Sequence, residues 1–249
     1  MIEIPRKLRD APIVEAMFEA RFSSQEAPEL LVGKLVGNPQ WQGYQTNRLA
    51  TADIPLPVRS SQPNLAFAPT FEIHNAAKVR LIRVGHNILS YHILGPYPGW
   101  GVAGQEINQT IDHLFRTVPQ LNLRRLGFRY VNLLTESRHF VPSVTELELK
   151  CSVRGDTLAP PLTISYRRTH GAKHISQVAL ATPEYVEGPP GLLGDFTTMV
   201  DVDIFTPEGC NIGDLDATKA WAVEAHDILK VEFFRLIPKE TLEKLRDDQ

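Results

Sequence analysis

The sequence predicts an α+β fold in which a curved, mostly antiparallel sheet packs against two long helices. Short segments that alternate apolar and polar residues recur along the chain, which is typical of half-buried strands. Most of them are joined by turns rather than by helical crossovers, which favours antiparallel pairing. Two longer stretches, 99–118 and 216–238, instead repeat apolar residues at helical spacing, as amphipathic helices do.

The size and composition are those of an ordinary globular protein. A chain of 249 residues with 43% hydrophobic and 22% charged residues can bury a sizeable core. We expect one α+β domain over residues 1–249. A weak similarity in element order suggests two related halves, with a seam near 137–144.

The first part of the chain predicts a strand, a helix and a hairpin. "APIVEAMFEARF" (11–22) alternates strictly, which predicts a half-buried strand. "APELLVGKLVG" (27–37) has apolar residues at helical spacing and ends in glycine, which predicts a short helix. "KVRLIRVGHNILSYHIL" (78–94) contains two apolar runs around a "GHN" turn, which predicts a hairpin.

The second part predicts five strands before the last long helix. The strand segments are "LRRLGFRYVNLL" (123–134), "ELELKCSV" (146–153), "LTISYRR" (162–168), "HISQVALA" (174–181) and "MVDVDIF" (199–205). Asp214 or Asp216 is expected to cap the helix at 216–238, because a short acceptor side chain satisfies free amides of the first turn. His170 and His174 flank the turn between two of these strands and are expected to be exposed.

Two strands present opposite charges on one face. Alternation places Arg125 and Arg129 together on one strand, and Asp201 and Asp203 together on another. Because a guanidinium takes a carboxylate through two hydrogen bonds, we expect these four residues to form a buried ion-pair cluster. A ligand or phosphate site built from the same residues is the alternative, and plain solvent exposure is a third.

No complete catalytic set is present, so no catalytic residues are assigned and neither a metal nor a cofactor is expected. Asp201 and Asp203 form a D-x-D that could hold Mg²⁺ in a metal-dependent phosphotransfer or nuclease-type enzyme. "ELELK" (146–150) matches the E-x-E-x-K string of the triphosphate tunnel enzymes, but only about a hundred residues follow it. Nucleophile-elbow, zincin, dinucleotide-binding and P-loop motifs are absent from the sequence. Whether the chain is an enzyme therefore stays open, and the sequence favours a non-catalytic role.

Aromatic and histidine residues allow two further interpretations. Phe128 and Tyr130 beside Arg129 resemble an RNA-binding sheet, in which exposed rings stack on bases, so RNA binding through the 124–130 strand is a second alternative. The apolar residues of this strand are, however, more typical of a buried core than of an exposed RNA-binding surface. His226 lies close to the apolar stripe of the last helix and is expected to be a core-edge histidine with one hydrogen bond.

Charge and hydropathy restrict the partners. A formal net charge of −3 argues against duplex DNA, which usually requires a strongly basic face. The sequence has two cysteines and no apolar run of eighteen residues, which predicts a cytoplasmic protein that does not enter a membrane.

Five segments together resemble a known family. They are "APIVEAMFEARF", "GHNILSYHILGPYPGW", "RRLGFRYVNLL", "VDVDIF" and "AHDILKVEFFRLIPKETLEKL". Their order and spacing are similar to those of a sporadically distributed family of uncharacterised bacterial and archaeal proteins of about 250 residues. The resemblance implies a cytoplasmic α+β protein and transfers no catalytic residue. Patchy distribution implies mobile genes, including defence and toxin–antitoxin-like modules.

The sequence thus predicts a non-catalytic module that binds a protein or a ligand. Its expected partner is the product of a neighbouring gene, which it would regulate, or a second copy of the chain.

Overall fold

The computed structural model describes residues 4–5, 8–182 and 196–246. Within them, nine strands form one antiparallel sheet in the order β2-β3-β4-β5-β1-β6-β11-β10-β9, and β7 pairs only with β8. The predicted α+β class and the mostly antiparallel sheet are therefore confirmed. The strands are β1 (Ile13–Ser23), β2 (Gln45–Arg48), β3 (Phe71–His74), β4 (Arg80–Val84), β5 (Ile88–Leu94), β6 (Asn122–Thr135), β7 (Ser152–Val153), β8 (Asp156–Thr157), β9 (Thr163–His170), β10 (His174–Ala181) and β11 (Phe196–Phe205). The helices are α1 (Pro28–Val36), α2 (Leu56–Ser61), α3 (Trp100–Thr117), α4 (Glu136–His139), α5 (Leu215–Phe234) and α6 (Lys239–Leu245).

The central strands have one apolar face and one polar face. In β1, Ala16, Phe18 and Ala20 are buried, whereas Glu15 and Met17 alternate with them on the other face. The same alternation governs β6 and β11, since successive side chains of a strand point to opposite faces. The apolar face is covered by helices, and we call the opposite face the charged face.

Helices α3 and α5 contact each other and the apolar face of the sheet. Ile107, Ile111 and Leu114 form the buried stripe of α3, whose burial drives the packing. Asp214, and not Asp216, caps α5, because its Oδ1 accepts a hydrogen bond from the Ala217 amide at 3.0 Å.

The last predicted helix is interrupted, because α5 ends at Phe234 rather than at residue 238. Leu236 and Ile237 turn into the core, and Pro238 has no amide proton with which to continue the helical ladder. Pro238 instead precedes α6, so the stretch becomes two helices.

The strand predicted at 146–153 is wrong. Val144–Glu146 form a 3₁₀ turn, and strand structure begins only with the two residues of β7. Burial of Leu147 and the hydrogen bond from the Glu148 amide to the Leu236 carbonyl, at 2.8 Å, fix this segment against the α5–α6 connection. Glu146, Glu148 and Lys150 are exposed and not on a strand, so the tunnel-enzyme interpretation loses its structural basis.

The segment 137–144 contributes Val141 and Val144 to the core, whereas its Arg138 and Phe140 are exposed. Val141 and Val144 belong to the same buried cluster as the apolar faces of β1 and β6. The seam and the two related halves stay predictions.

Among the helices of the described residues, none combines the length and the apolarity that a bilayer crossing requires.

Candidate functional site

The four predicted cluster residues lie together on the charged face. Arg129 Nε and Nη2 donate to the two carboxylate oxygens of Asp201 at 2.7 and 2.6 Å. Arg125 Nη2 donates to Asp203 Oδ2 at 3.3 Å. The contacts are possible because β6 and β11 are neighbours in the sheet. The guanidinium groups are therefore bound to carboxylates of the protein itself.

A fifth residue, Glu19 of β1, completes the cluster and is not among the four residues predicted from the sequence. Its Oε1 accepts hydrogen bonds from Arg125 Nη1 at 2.8 Å and from Arg21 Nε at 2.7 Å. Gly127 makes room for the arginine, because a Cβ at that position would lie 3.1 Å from Arg125 Nη1. Alternation within β1 puts Glu19 on the same face as Glu15, but its position beside Arg125 depends on the pairing of β1 with β6.

The cluster lines a shallow concavity of about 320 Å³ rather than a closed interior. The side chains of Arg129 and Asp201 are 39% and 15% exposed. The hydrogen bonds that Arg129 donates to Asp201 raise the pKa of Arg129, and the nearby Glu15 adds to this effect. Burial raises the pKa of Asp203, whose Oδ1 is buried and has no hydrogen-bond partner among the described residues. The predicted ion pairs are thus present, but the cluster is only partly buried, and the carboxylates of Asp201 and Asp203 have unequal surroundings.

The charged face also holds a serine–histidine–glutamate relay. His92 Nδ1 lies 2.7 Å from Glu15 Oε1, and His92 Nε2 lies 2.9 Å from Ser90 Oγ. The hydrogen bond from His92 lowers the pKa of Glu15. A nucleophilic triad needs a hydroxyl that substrate can reach. Ser90 and His92 are 4% and 3% exposed and line neither cavity described here, so we interpret the relay as a buried polar network.

A larger cavity, of about 660 Å³, lies beside α5 at the end of the sheet where β1 begins. We call it the α5 pocket. Its walls come from the N-terminal segment, the start of β1, the β5–α3 loop, β6, α4 and α5. The lining residues are Pro5, Leu8, Arg9, Asp10, Ala11, Pro12, Ile13, Val14, Gly95, Pro96, Tyr97, Pro98, Gly99, Trp100, Tyr130, Asn132, Arg138, His226, Leu229, Lys230, Phe233 and Phe234.

The β5–α3 loop, "GPYPG" (95–99), fixes the position of Tyr97. Gly95 and Gly99 have φ values of 81° and 88°, which residues with a Cβ rarely adopt. The two prolines between them each restrict φ to about −65°. Tyr97 and Tyr130 are joined hydroxyl to hydroxyl at 2.7 Å. One hydroxyl donates in this bond, so the other retains a proton for which no described residue is an acceptor.

His226 forms part of the pocket wall in its neutral form. Its ring lies on the Trp100 indole with centroids 3.9 Å apart, and burial lowers its pKa to about 3. Gly104 allows this stack, because a Cβ there would lie 3.1 to 3.3 Å from three atoms of the indole. Among the described residues, Nδ1 of His226 has no hydrogen-bond partner. The expected buried position of His226 is confirmed, but the one hydrogen bond expected of its ring is not formed with any described residue.

Two other predictions are corrected by burial. Phe128 and Tyr130 lie on the apolar face beneath the helices, so neither ring is presented to stack on bases, and the RNA-binding interpretation loses its platform. His174 is buried rather than exposed, because its ring stacks on Trp221 with centroids 5.3 Å apart.

The chemistry of a metal centre has little basis in the described residues. They contain no group of three or more histidine, cysteine or acidic side chains that could hold a metal ion. Both oxygens of Asp201 already accept hydrogen bonds from Arg129.

Comparison with protein-family models and with curated proteins found no match. The family resemblance of the five segments therefore stays an expectation.

Proposed function

We propose that this chain is a non-catalytic ligand-binding module and that its ligand occupies the α5 pocket. The main support for this proposal is a cavity of about 660 Å³ that is lined largely by apolar and aromatic side chains. A few buried polar groups lie at its inner end. Small-molecule sites have this size and this distribution of polarity. The hydroxyl pair of Tyr97 and Tyr130 supplies a donor that a ligand can satisfy.

The protonation states in the pocket support binding rather than catalysis. Burial raises the pKa of Tyr97 to about 12 and that of Tyr130 well above its ordinary value. Burial also lowers the pKa of His226 to about 3. A general acid or base works best with a pKa near the operating pH, and none of these three groups exchanges a proton readily near neutrality.

The metal-dependent phosphotransfer alternative has weaker support. It needs Asp201 and Asp203 for a cation and Arg125 and Arg129 for phosphate, yet these groups are largely paired with each other and with Glu19. Regulation of a neighbouring gene product is a separate expectation, for which the family resemblance is the only support.

The test is binding of the neutral fluorophore N-phenyl-1-naphthylamine, whose emission rises in an apolar site. We expect saturable binding to the wild-type chain. In Ala11→Trp, whose new side chain fills the pocket from an exposed lining position, binding should weaken by about tenfold or more. Ala77→Trp is the matched control, because Ala77 is exposed in the β3–β4 turn outside the pocket. Absence of binding to the wild type, or unchanged binding to Ala11→Trp, contradicts the proposal.

A further inference from the structure

The mouth and the inner end of the α5 pocket differ in charge. Three cationic side chains line it, those of Arg9, Arg138 and Lys230, against one carboxylate, that of Asp10. Arg138 Nη2 donates to Asp10 Oδ1 at 2.9 Å, so this carboxylate is already neutralised. Arg9 and Lys230 have no carboxylate within ion-pair distance in the described part of the chain. Within the described residues, the pocket therefore retains two positive charges that no carboxylate pairs.

These cations lie toward solvent, whereas the neutral groups lie inside. Arg9 and Arg138 are exposed and Lys230 is half-buried, whereas Tyr130 and His226 are buried. A charge is favoured where water still contacts it, and an apolar body is favoured where water is excluded. The cavity consequently matches a molecule that is apolar at one end and anionic at the other.

The aromatic residues that line the α5 pocket indicate which apolar group of a ligand would fit there. Trp100 and Tyr97 present rings on one side, and Phe233 and Phe234 of α5 present rings on another. Aromatic faces favour contact with planar unsaturated groups. The hydroxyl pair of Tyr97 and Tyr130 can donate to an acceptor atom at that end, but it offers no charge.

We infer that the α5 pocket binds an organic anion with a flat aromatic body, oriented with the acid group between Arg9 and Lys230 and the rings against Trp100. This inference rests on the proposed function, since it names the class of ligand for the same site. It adds a polarity and an orientation that ligand binding alone does not require.

The test compares two dyes that differ by one acid group, N-phenyl-1-naphthylamine and 8-anilino-1-naphthalenesulfonate. We expect the wild-type chain to bind the sulfonate about tenfold more tightly than the neutral dye. The double variant Arg9→Ala/Lys230→Ala should remove this preference, so that the two dyes bind with affinities within about twofold of each other. Lys239→Ala is the matched control, since the Lys239 side chain is 90% exposed and lies outside the pocket. Added salt should weaken only the binding of the sulfonate.

The outcomes separate this inference from the proposed function. If the neutral dye binds but the sulfonate has no advantage, or if the double variant retains the advantage, the ligand class is wrong and the binding module stands. If neither dye binds, both proposals are wrong. Displacement of the sulfonate by 2-naphthoate or by 2-naphthyl phosphate then shows whether a carboxylate or a phosphate is preferred, and failure of both to displace it also overturns the inference.

Discussion

Asp201 and Asp203 lie two residues apart on one face of β11, yet their surroundings differ. Asp201 accepts two short hydrogen bonds from Arg129. Asp203 accepts one longer bond from Arg125, and its other oxygen is buried without a partner among the described residues. The same side chain is therefore stabilised at one position and strained electrostatically at the other.

Replacing each aspartate by asparagine should separate the two environments. Asp201→Asn is expected to lower the free energy of unfolding by about 1 to 2 kcal/mol, because it removes the charge that Arg129 binds. Asp203→Asn should change it by less than about 0.5 kcal/mol or raise it, because it removes a partly desolvated charge. Urea unfolding at pH 7 measures both. Equal losses in the two variants would show that the unpaired oxygen has no energetic consequence.

The pKa of Asp203 independently predicts whether ionisation of this carboxyl raises or lowers the free energy of unfolding. Because burial raises the pKa above that of the unfolded chain, ionisation of this carboxyl opposes folding at neutral pH. Its unfavourable contribution is relieved as the pH falls through the folded-state pKa. Stability of the wild type relative to Asp203→Asn should therefore improve on acidification.

At the scale of the element, α3 contains two glycines whose surroundings differ. A Cβ at Gly101 would meet nothing within 4 Å, whereas one at Gly104 would press on the rigid indole of Trp100. Gly101→Ala should stabilise the protein by about 0.5 kcal/mol, because alanine favours the helix over the unfolded chain. Gly104→Ala should lose this gain and more, with a difference of about 1 kcal/mol or more between the variants.

Thermal unfolding compares the two alanine variants, and the near-ultraviolet signal of Trp100 reports whether the His226 stack is disturbed. Gly101→Ala serves as the control for helix propensity within the same helix. Equal stabilisation by both substitutions would mean that Trp100 moves freely, which would also weaken its assignment as a fixed wall of the α5 pocket.

At the scale of the whole molecule, buried histidines make stability depend on pH. Burial lowers the pKa of His226 to about 3 and that of His139 to about 4, whereas an unfolded histidine titrates near 6.5. Below pH 6.5 these two histidines become protonated in the unfolded chain but stay neutral in the folded chain. The stabilising contribution is therefore complete above pH 6.5 and is lost as the pH falls toward 4.

Between pH 7 and pH 5 we expect each of these two histidines to reduce the free energy of unfolding by about 2 kcal/mol. Urea unfolding across this range measures the loss, and the proton uptake that accompanies unfolding gives the number of groups involved. His139→Gln should show a smaller loss than the wild type. A free energy of unfolding that is flat from pH 7 to pH 5 would contradict the buried, neutral state of both rings.

The strand faces could be predicted from the sequence because alternation is local. It placed Arg125 with Arg129 and Asp201 with Asp203, and each pair does share a face. The role of Glu19 could not be predicted in this way, because it depends on β1 lying next to β6. That neighbour relation results from pairing over about a hundred residues, which no short pattern contains.

The α5 pocket was less predictable than the sheet. Tyr97 and His226 are far apart in the sequence, and the walls of the pocket meet only after separate parts of the chain have packed together. The strand predicted at 146–153 was wrong for a related reason. Its leucines alternate, but the contact of Glu148 with Leu236 takes the backbone away from the sheet.

The charged face has a consequence for how the central strands align during folding. A slide of β11 by two residues along β6 would keep every apolar side chain inward, so hydrophobic burial alone accepts it. In the native register Asp203 is the direct neighbour of Arg129, and the ion pairs run diagonally, from Arg129 to Asp201 and from Arg125 to Asp203. A slide that moves Asp203 into the place of Asp201 would leave Arg125 without its aspartate. The ion pairs between acidic and basic side chains therefore disfavour shifted strand registers that hydrophobic burial alone would allow. They select one alignment of the central strands.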